Sequence, residues 1–265
     1  MNTKHCLVNG HNIVYVEENP TGNKTILFIH GNSLSKEIFS KQLTNNKFKD
    51  FRLLALDLPG HGESQWLEAY SVNQIVEDIT SFCEEVILNS FIIVGHSLGG
   101  HMAIQALPKL KKCSGIFLIG TPPLQLPLNI EEAFMPHPAI PLLFKKELNK
   151  AELNIFSEAL TLPEHQMFVK DQLNNTDLNF REQLLNSIQE GQMQDEVKIL
   201  NKSNLPVAMI FGEEDKLVNF DYLKNIKLSQ LDEKTPMYIK GGSHLPTLER
   251  DSVLDKLILD FSDRI

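Results

Sequence analysis

Short apolar runs recur along the chain, and longer segments with helical spacing separate them. The runs predict buried strands over residues 25–29, 52–56, 91–94, 207–211 and 237–239. Apolar and polar positions near residues 3–8 and 12–17 predict an antiparallel hairpin before them. Helical spacing predicts helices over residues 36–43, 71–88, 98–107, 221–227 and 247–261, with Ser71 as the N-cap of the second. Strands that alternate with amphipathic helices are typical of an α/β fold, with a mostly parallel central sheet and helices on both faces.

The alternation breaks between residues 121 and 203, where prolines crowd the first part and helix-like stretches follow. We therefore predict a core formed by residues 1–120 and 204–265, with residues 121–203 inserted as a helical cap, or lid. The large apolar residues of this segment are Phe134, Met135, Phe144, Phe156, Met167, Phe168, Phe180 and Met193. We expect most of them to pack against the core and a few to line a ligand pocket above the carboxyl ends of the strands.

One motif carries most of the chemical information. The apolar run over residues 91–94 leads into Gly95-His96-Ser97-Leu98-Gly99, the G-x-S-x-G pattern of a nucleophile elbow. In such an elbow a strand turns sharply into a helix and presents a serine in a strained conformation, where side chains at the two glycine positions would collide with neighbouring elements. Ser97 is thus the candidate nucleophile, and the chain is predicted to attack acyl carbonyls.

A serine hydroxyl needs an imidazole to take its proton and a carboxylate to orient that imidazole. The order serine, acid, histidine is the order expected after such an elbow. Asp215 follows the run over residues 207–211, and His244 lies in a loop after the short strand over residues 237–239. Glu213 and Glu214 are rivals of Asp215, because a shift of one residue at a strand end changes which carboxylate points inward.

An oxyanion hole requires two donors near the nucleophile. The segment His30-Gly31-Asn32-Ser33 follows the strand over residues 25–29, so we assign the hole to the backbone N–H groups of Asn32 and Leu98. We interpret the nearby histidines as structural, with His30 and His96 hydrogen-bonded to loops. The glycine-rich turn over residues 57–64 lacks the G-K-[ST] ending of a phosphate loop.

Composition narrows the possible partners. The net charge is −9 without a basic cluster, which argues against nucleic acid and anionic membrane surfaces as partners. The first twenty residues contain no continuous apolar stretch, so we expect neither a secretory signal nor a membrane span, and a cytoplasmic protein. Three scattered cysteines, Cys6, Cys83 and Cys113, have no metal-binding spacing and are expected to be reduced, buried thiols. The oligomeric state is not specified by these features.

Taken together, these motifs resemble the α/β-hydrolase superfamily from the first hairpin to the last helix. Within it, the chain is similar to the metal-independent N-acyl-homoserine lactone hydrolases, which open the lactone ring of bacterial quorum signals. The segments that carry this similarity are His30-Gly31-Asn32-Ser33, Asp57-Leu58-Pro59-Gly60-His61-Gly62, Ser97-Leu98-Gly99-Gly100-His101 and Gly120-Thr121-Pro122-Pro123.

The resemblance implies a serine lactonase that needs no cofactor or metal and takes a small ester or lactone substrate, with a cap that holds the acyl chain. Two features depart from that group. The group has a glutamate where this chain has Asp215, and its cap tyrosine has no counterpart, since the tyrosines here are Tyr15, Tyr70, Tyr222 and Tyr238. A metal-dependent lactonase is disfavoured because the sequence contains no H-x-H-x-D-H run.

Three other hypotheses remain at this stage. The same triad serves carboxylesterases, thioesterases and carbon–carbon bond hydrolases, and the sequence does not separate them. A ligand-sensing receptor could keep a hydrolase pocket and signal through cap movement. A dehalogenase would require an aspartate at the elbow, which Ser97 argues against.

Overall fold

A computed structural model describes residues 2–232 and 235–265. Its centre is an eight-stranded sheet in the order β1-β2-β4-β3-β5-β6-β7-β8. The strands are β1 (Thr3–Val8), β2 (His11–Glu18), β3 (Lys24–Ile29), β4 (Phe51–Leu56), β5 (Phe91–His96), β6 (Cys113–Ile119), β7 (Val207–Gly212) and β8 (Met237–Ile239).

The sheet is parallel except at its first edge. β1 and β2 form the predicted antiparallel hairpin, and β2 pairs antiparallel with β4. The other neighbours are parallel, so the carboxyl ends of β3, β5, β6, β7 and β8 meet at one edge of the sheet. The predicted strands are confirmed, and β6, which was not singled out from the sequence, completes the centre of the sheet. The fold class is therefore the one predicted: a mostly parallel sheet with helices.

Helices connect the strands and fill the segment between β6 and β7. They are α1 (Ser40–Thr44), α2 (Val72–Val86), α3 (Leu98–Ala106), α4 (Ile130–Ala133), α5 (Ala139–Leu142), α6 (Lys150–Leu160), α7 (Gln166–Asn174), α8 (Leu178–Gln189), α9 (Glu196–Ser203), α10 (Phe220–Leu223), α11 (Pro246–Glu249) and α12 (Asp251–Ser262). Short 3-10 helices cover Lys36–Phe39, Asn46–Phe48, Leu107–Lys109 and Pro163–His165. Ser71 caps α2 as predicted, because its side chain accepts a hydrogen bond from the Gln74 N–H at 3.1 Å.

Three predicted helices were wrong in length or continuity. The helix over residues 36–43 is a 3-10 turn followed by α1, since Phe39 leaves helical geometry at φ −103°, ψ 9°. The helix over residues 221–227 is the single turn α10. The helix over residues 247–261 is broken at Arg250, whose φ of −132° and ψ of 39° separate α11 from α12.

Alternate residues of each central strand face opposite layers of the core. In β3, Leu27 and Ile29 belong to one buried apolar cluster, and Ile26 and Phe28 belong to the other. Strands buried on both faces explain the continuous apolar runs in the sequence.

The thiols of Cys6, Cys83 and Cys113 are all free. Cys83 and Cys113 are buried as expected, and burial raises the pKa of the Cys113 thiol to about 12. The expectation was wrong for Cys6, which is half-buried because it lies on the edge strand β1.

Residues 121–203, here called the inserted segment, contain α4 to α9 and contribute no strand to the central sheet. Among the described residues, no helix is long and apolar enough to cross a membrane.

Candidate active site

Ser97 lies in the turn between β5 and α3, at the carboxyl edge of the sheet. Its φ of 50° and ψ of −119° place it in the strained conformation that the elbow motif predicts. The glycines are needed for close approach. A Cβ at Gly95 would lie 2.6 Å from the Gly100 Cα, and a Cβ at Gly99 would lie 2.3 Å from the Ile29 carbonyl oxygen. The local sequence therefore folds as an elbow because only glycine fits between the neighbouring strand and helix.

Asp215 and His244 meet at the same edge of the sheet. Asp215 follows β7, His244 follows β8, and the Asp215 Oδ2 lies 2.7 Å from the His244 Nδ1. The other carboxylate oxygen of Asp215 accepts the backbone N–H of Leu217 at 2.8 Å. Glu213 and Glu214 are exposed, so among the three rival acids Asp215 is the one that contacts the histidine. A carboxylate is an acceptor only, so Nδ1 carries the proton in this bond.

The loop that carries His244 is tied to the rest of the molecule by a buried carboxylate. Glu249 accepts the Ser243 N–H at 2.6 Å, the Leu162 N–H at 2.9 Å and the Thr161 hydroxyl at 2.7 Å. It also bonds the Ser243 hydroxyl. These bonds connect the histidine loop to the end of α6, which fixes the position of His244 next to the sheet.

Ser97 and His244 approach the same turn from two sides. The Ser97 N–H donates to the Ile119 carbonyl at 2.8 Å, and the His244 ring packs against Gly120, where a Cβ would lie 2.9 Å from Cε1. The His96 Nε2 donates to the His244 carbonyl at 2.8 Å. The elbow, the turn after β6 and the histidine loop therefore form one packed unit.

The loop after β3 carries Asn32 and passes beside the elbow, since a Cβ at Gly31 would lie 3.2 Å from the Ser97 Cβ. The Asn32 side chain is occupied. Its Nδ2 donates to the Leu143 carbonyl at 2.7 Å, and its Oδ1 accepts the Ser33 hydroxyl at 3.0 Å. In the described part of the chain, the backbone N–H groups of Asn32 and Leu98 have no protein acceptor. They are free to bind an oxygen.

Arg181 of α8 holds this loop from the inserted segment. It is 2% exposed, and its guanidinium donates to the Lys145 carbonyl at 2.7 Å, the Lys146 carbonyl at 2.6 Å and the Ser33 hydroxyl at 3.1 Å. Burial lowers the pKa of Arg181. No sequence pattern identifies Arg181, because its partners lie about 35 and 148 positions away.

His30 and His61 are structural, and both are fully buried behind the loop. His30 donates from Nδ1 to the Gly31 carbonyl at 2.8 Å and accepts the Leu58 N–H on Nε2 at 2.9 Å. His61 accepts the Ser33 N–H on Nε2 at 3.1 Å. Burial lowers the pKa of His30 to about 4 and that of His61 to about 3, so both rings are neutral. As predicted, His30 and His96 hydrogen-bond loops.

A cavity opens above Ser97 between the sheet edge and the inserted segment. Three of its lining residues are polar: Asn32, Ser97 and His101. The others are Leu98, Met102, Leu124, Leu128, Ile130, Phe134, Ile140, Leu143, Phe144, Leu184, Ile188 and Met193. Among the large apolar residues named from the sequence, Phe134, Phe144 and Met193 line the cavity, and Phe156 and Phe180 are buried in the core.

His101 occupies a different setting from the other histidines. It lines the cavity, and its Nδ1 lies 2.9 Å from one carboxylate oxygen of Glu196 and 3.1 Å from the other. Glu196 is fully buried at the start of α9. No sequence pattern indicates this pair, because its members are 95 residues apart.

The described residues bring together no group of three or more histidine, cysteine or acidic side chains that could hold a metal ion.

Comparisons with known proteins agree with this architecture. A curated relative, "AB hydrolase superfamily protein YisY" of Bacillus subtilis, is 24% identical over 96% of this chain and 96% of its own length. A "Non-heme chloroperoxidase" of Burkholderia pyrrocinia is 24% identical over 94% of this chain and 95% of its own length.

Solved structures show the same fold. N-acyl homoserine lactonase AidH, as a mutant complexed with N-hexanoyl homoserine lactone, superposes with a TM-score of 0.92 at 24% identity and covers 98% of this chain and 97% of its own. An aryl esterase of Burkholderia cenocepacia, described as putative, gives 0.81 at 19% identity, with 99% and 98% covered. The model of the "Alpha/beta hydrolase family" matches residues 26–256, and the chain therefore belongs to the α/β-hydrolase family.

Proposed function

We propose that this hydrolase cleaves a carboxylic ester or lactone through an acyl-enzyme on Ser97, and that N-acyl-homoserine lactones are among its substrates. The observation that carries the proposal is the 2.7 Å bond between Asp215 and His244 at the sheet edge where Ser97 lies in its strained turn. Ser97 lines a cavity whose other lining residues are mostly apolar. A nucleophile, a base and an orienting acid at one sheet edge are the parts that acyl transfer requires.

In the proposed reaction, the residues act one after another. His244, with Nδ1–H donated to Asp215, has its Nε2 lone pair available to take the Ser97 proton. The Ser97 Oγ forms a bond to the substrate carbonyl carbon, and the resulting oxyanion accepts the free N–H groups of Asn32 and Leu98. His244 then gives the proton to the leaving alkoxide as the carbon–oxygen bond breaks. Water, deprotonated by His244, attacks the acyl-enzyme. His244 then returns this proton to the Ser97 Oγ as the acyl–oxygen bond breaks, which releases the acid and restores the serine.

The cavity supports an acyl-chain substrate. Twelve of its fifteen lining residues are apolar, which suits a hydrocarbon chain bound next to a carbonyl that reaches Ser97. The acid of such a triad is either an aspartate or a glutamate. Asp215 contacts His244 without the additional methylene of a glutamate. The shared fold with a protein named as an N-acyl homoserine lactonase makes the lactone a reasonable first substrate.

The test is ring opening of N-acyl-homoserine lactones with several acyl lengths, followed by proton release in the presence of a chelator. We expect turnover by the wild type and none by Ser97→Ala. If the wild type hydrolyses an aryl ester but no lactone, the proposal narrows to a carboxylesterase. Tight lactone binding without turnover of lactone or ester would contradict the proposal and favour a ligand-sensing receptor.

A further inference from the structure

Among the described residues, His101 is the one polar side chain lining the cavity that takes no part in the proposed chemistry or in the contacts of the loop after β3. Ser97 is assigned as the nucleophile, and the Asn32 side chain is bonded to Leu143 and Ser33. His101 is 8% exposed and borders the same space as the elbow. A polar ring in a cavity lined mostly by apolar side chains is placed to bind a polar group on the ligand.

Glu196 fixes which nitrogen of His101 faces the ligand. Its carboxylate holds Nδ1 at 2.9 Å, and the carboxylate itself accepts the Leu124 N–H at 2.8 Å and the Gln105 amide at 3.3 Å. Because a carboxylate is an acceptor only, the Nδ1 proton is donated to Glu196, and in the neutral form of imidazole the lone pair then lies on Nε2. Nε2 has no hydrogen-bond partner among residues 2–232 and 235–265.

The position of His101 relative to Ser97 limits where a ligand can carry its hydrogen-bond donor. His101 is four residues after Ser97, and its N–H bonds the Ser97 carbonyl at 3.1 Å. Both side chains line the same cavity, so one ligand can contact both. A substrate whose carbonyl is at Ser97 would therefore bring a donor to Nε2 if that donor is attached close to the carbonyl carbon.

We propose that His101, positioned by Glu196, accepts a hydrogen bond from the N–H of an α-acylamino ester or lactone, and so selects N-acylated substrates over those without a donor. This inference rests on the proposed function and deepens it. A purely structural role, in which the pair only ties α3 to α9, would leave ligand preference unaffected.

Binding to Ser97→Ala tests the inference without turnover. The probes are N-hexanoyl-homoserine lactone and its α-hexanoyloxy isostere, in which the amide N–H is replaced by oxygen. Calorimetry should show the amide binding on the order of 10-fold tighter, the usual cost of leaving a buried acceptor unpaired. Adding His101→Leu should bring this ratio close to one.

Two further variants separate a loss of ligand preference from a loss of folding. His101→Met, closer in length, should reproduce the loss of preference if His101→Leu does not fold, as thermal unfolding would reveal. His165→Leu, on a 3-10 helix away from the cavity lining, should preserve both the ratio and the activity. An unchanged ratio in both His101 variants, or no binding of either probe, would overturn the inference. Failure of the wild type to hydrolyse any lactone or ester would instead overturn the proposed function, because the binding ratio is measured independently.

Discussion

The carboxyl edge of the sheet and the inserted segment face each other across the cavity, yet they are built differently. At the sheet edge, Ser97, Asp215 and His244 are held by backbone strain and short polar contacts. The inserted segment lines the cavity with apolar side chains such as Leu128. The inserted segment supplies most of the apolar lining of the cavity. We therefore expect changes at the sheet edge to affect the reaction itself and changes in the inserted segment to affect which acyl chain binds.

The largest effect is expected at the sheet edge, from Asp215→Asn. The amide would no longer orient the His244 ring or stabilise its charged form, so kcat for lactone or ester hydrolysis should fall by about 10⁴-fold. Glu214→Gln is the matched control, because Glu214 is exposed, and it should retain wild-type kcat. Equal losses in the two variants would show that the carboxylate has been misassigned.

The second effect is expected at Arg181, which joins the inserted segment to the loop after β3 at the sheet edge. Arg181→Leu would leave the Lys145 and Lys146 carbonyls and the Ser33 hydroxyl without their donor, so the free energy of unfolding should fall by about 3 kcal/mol. Urea denaturation measures this. The exposed Lys224, which pairs with the exposed Asp221, provides the control, since Lys224→Leu should leave the free energy of unfolding almost unchanged. A small loss at Arg181 would mean that the inserted segment is held by packing alone.

Acidification should lower the free energy of unfolding through His30 and His61, the two buried histidines behind the loop after β3. The folded pKa values of His30 and His61, about 4 and about 3, lie below the unfolded value of 6.5. Their contribution is therefore complete above pH 6.5 and is lost as pH falls toward 4 for His30 and toward 3 for His61. Between pH 7 and pH 5 the unfolding free energy should drop by about 2 kcal/mol for each ring. His61→Gln should make the pH dependence shallower, whereas an identical slope would contradict the assignment of a neutral buried ring.

The smallest effect is expected within the inserted segment. Leu128→Phe would fill part of the cavity, so kcat/KM for a decanoyl lactone should fall about 10-fold relative to a butanoyl lactone. Leu126→Phe is the control, because Leu126 is 45% exposed and does not line the cavity. If both variants keep the wild-type preference, the acyl chain binds elsewhere.

The same contrast explains what the sequence could predict. The elbow around Ser97 was predictable because its glycines, strand and helix are local in the chain. The choice among Asp215, Glu213 and Glu214 needed the structure, since it depends on how the turn after β7 faces the His244 loop.

The pairing of His101 with Glu196 had no sequence signature, because it depends on where α9 packs against α3. Helix ends at Phe39 and Arg250 were missed for a related reason: backbone geometry there is set by the surrounding fold rather than by periodicity.

Covalent labelling tests whether Ser97 is an activated nucleophile. The protein would be treated with a fluorophosphonate, and its intact mass and modified peptide would be determined. We predict one adduct per chain, on Ser97, which forms far more slowly in Asp215→Asn. No adduct, or an adduct on another residue, would contradict it.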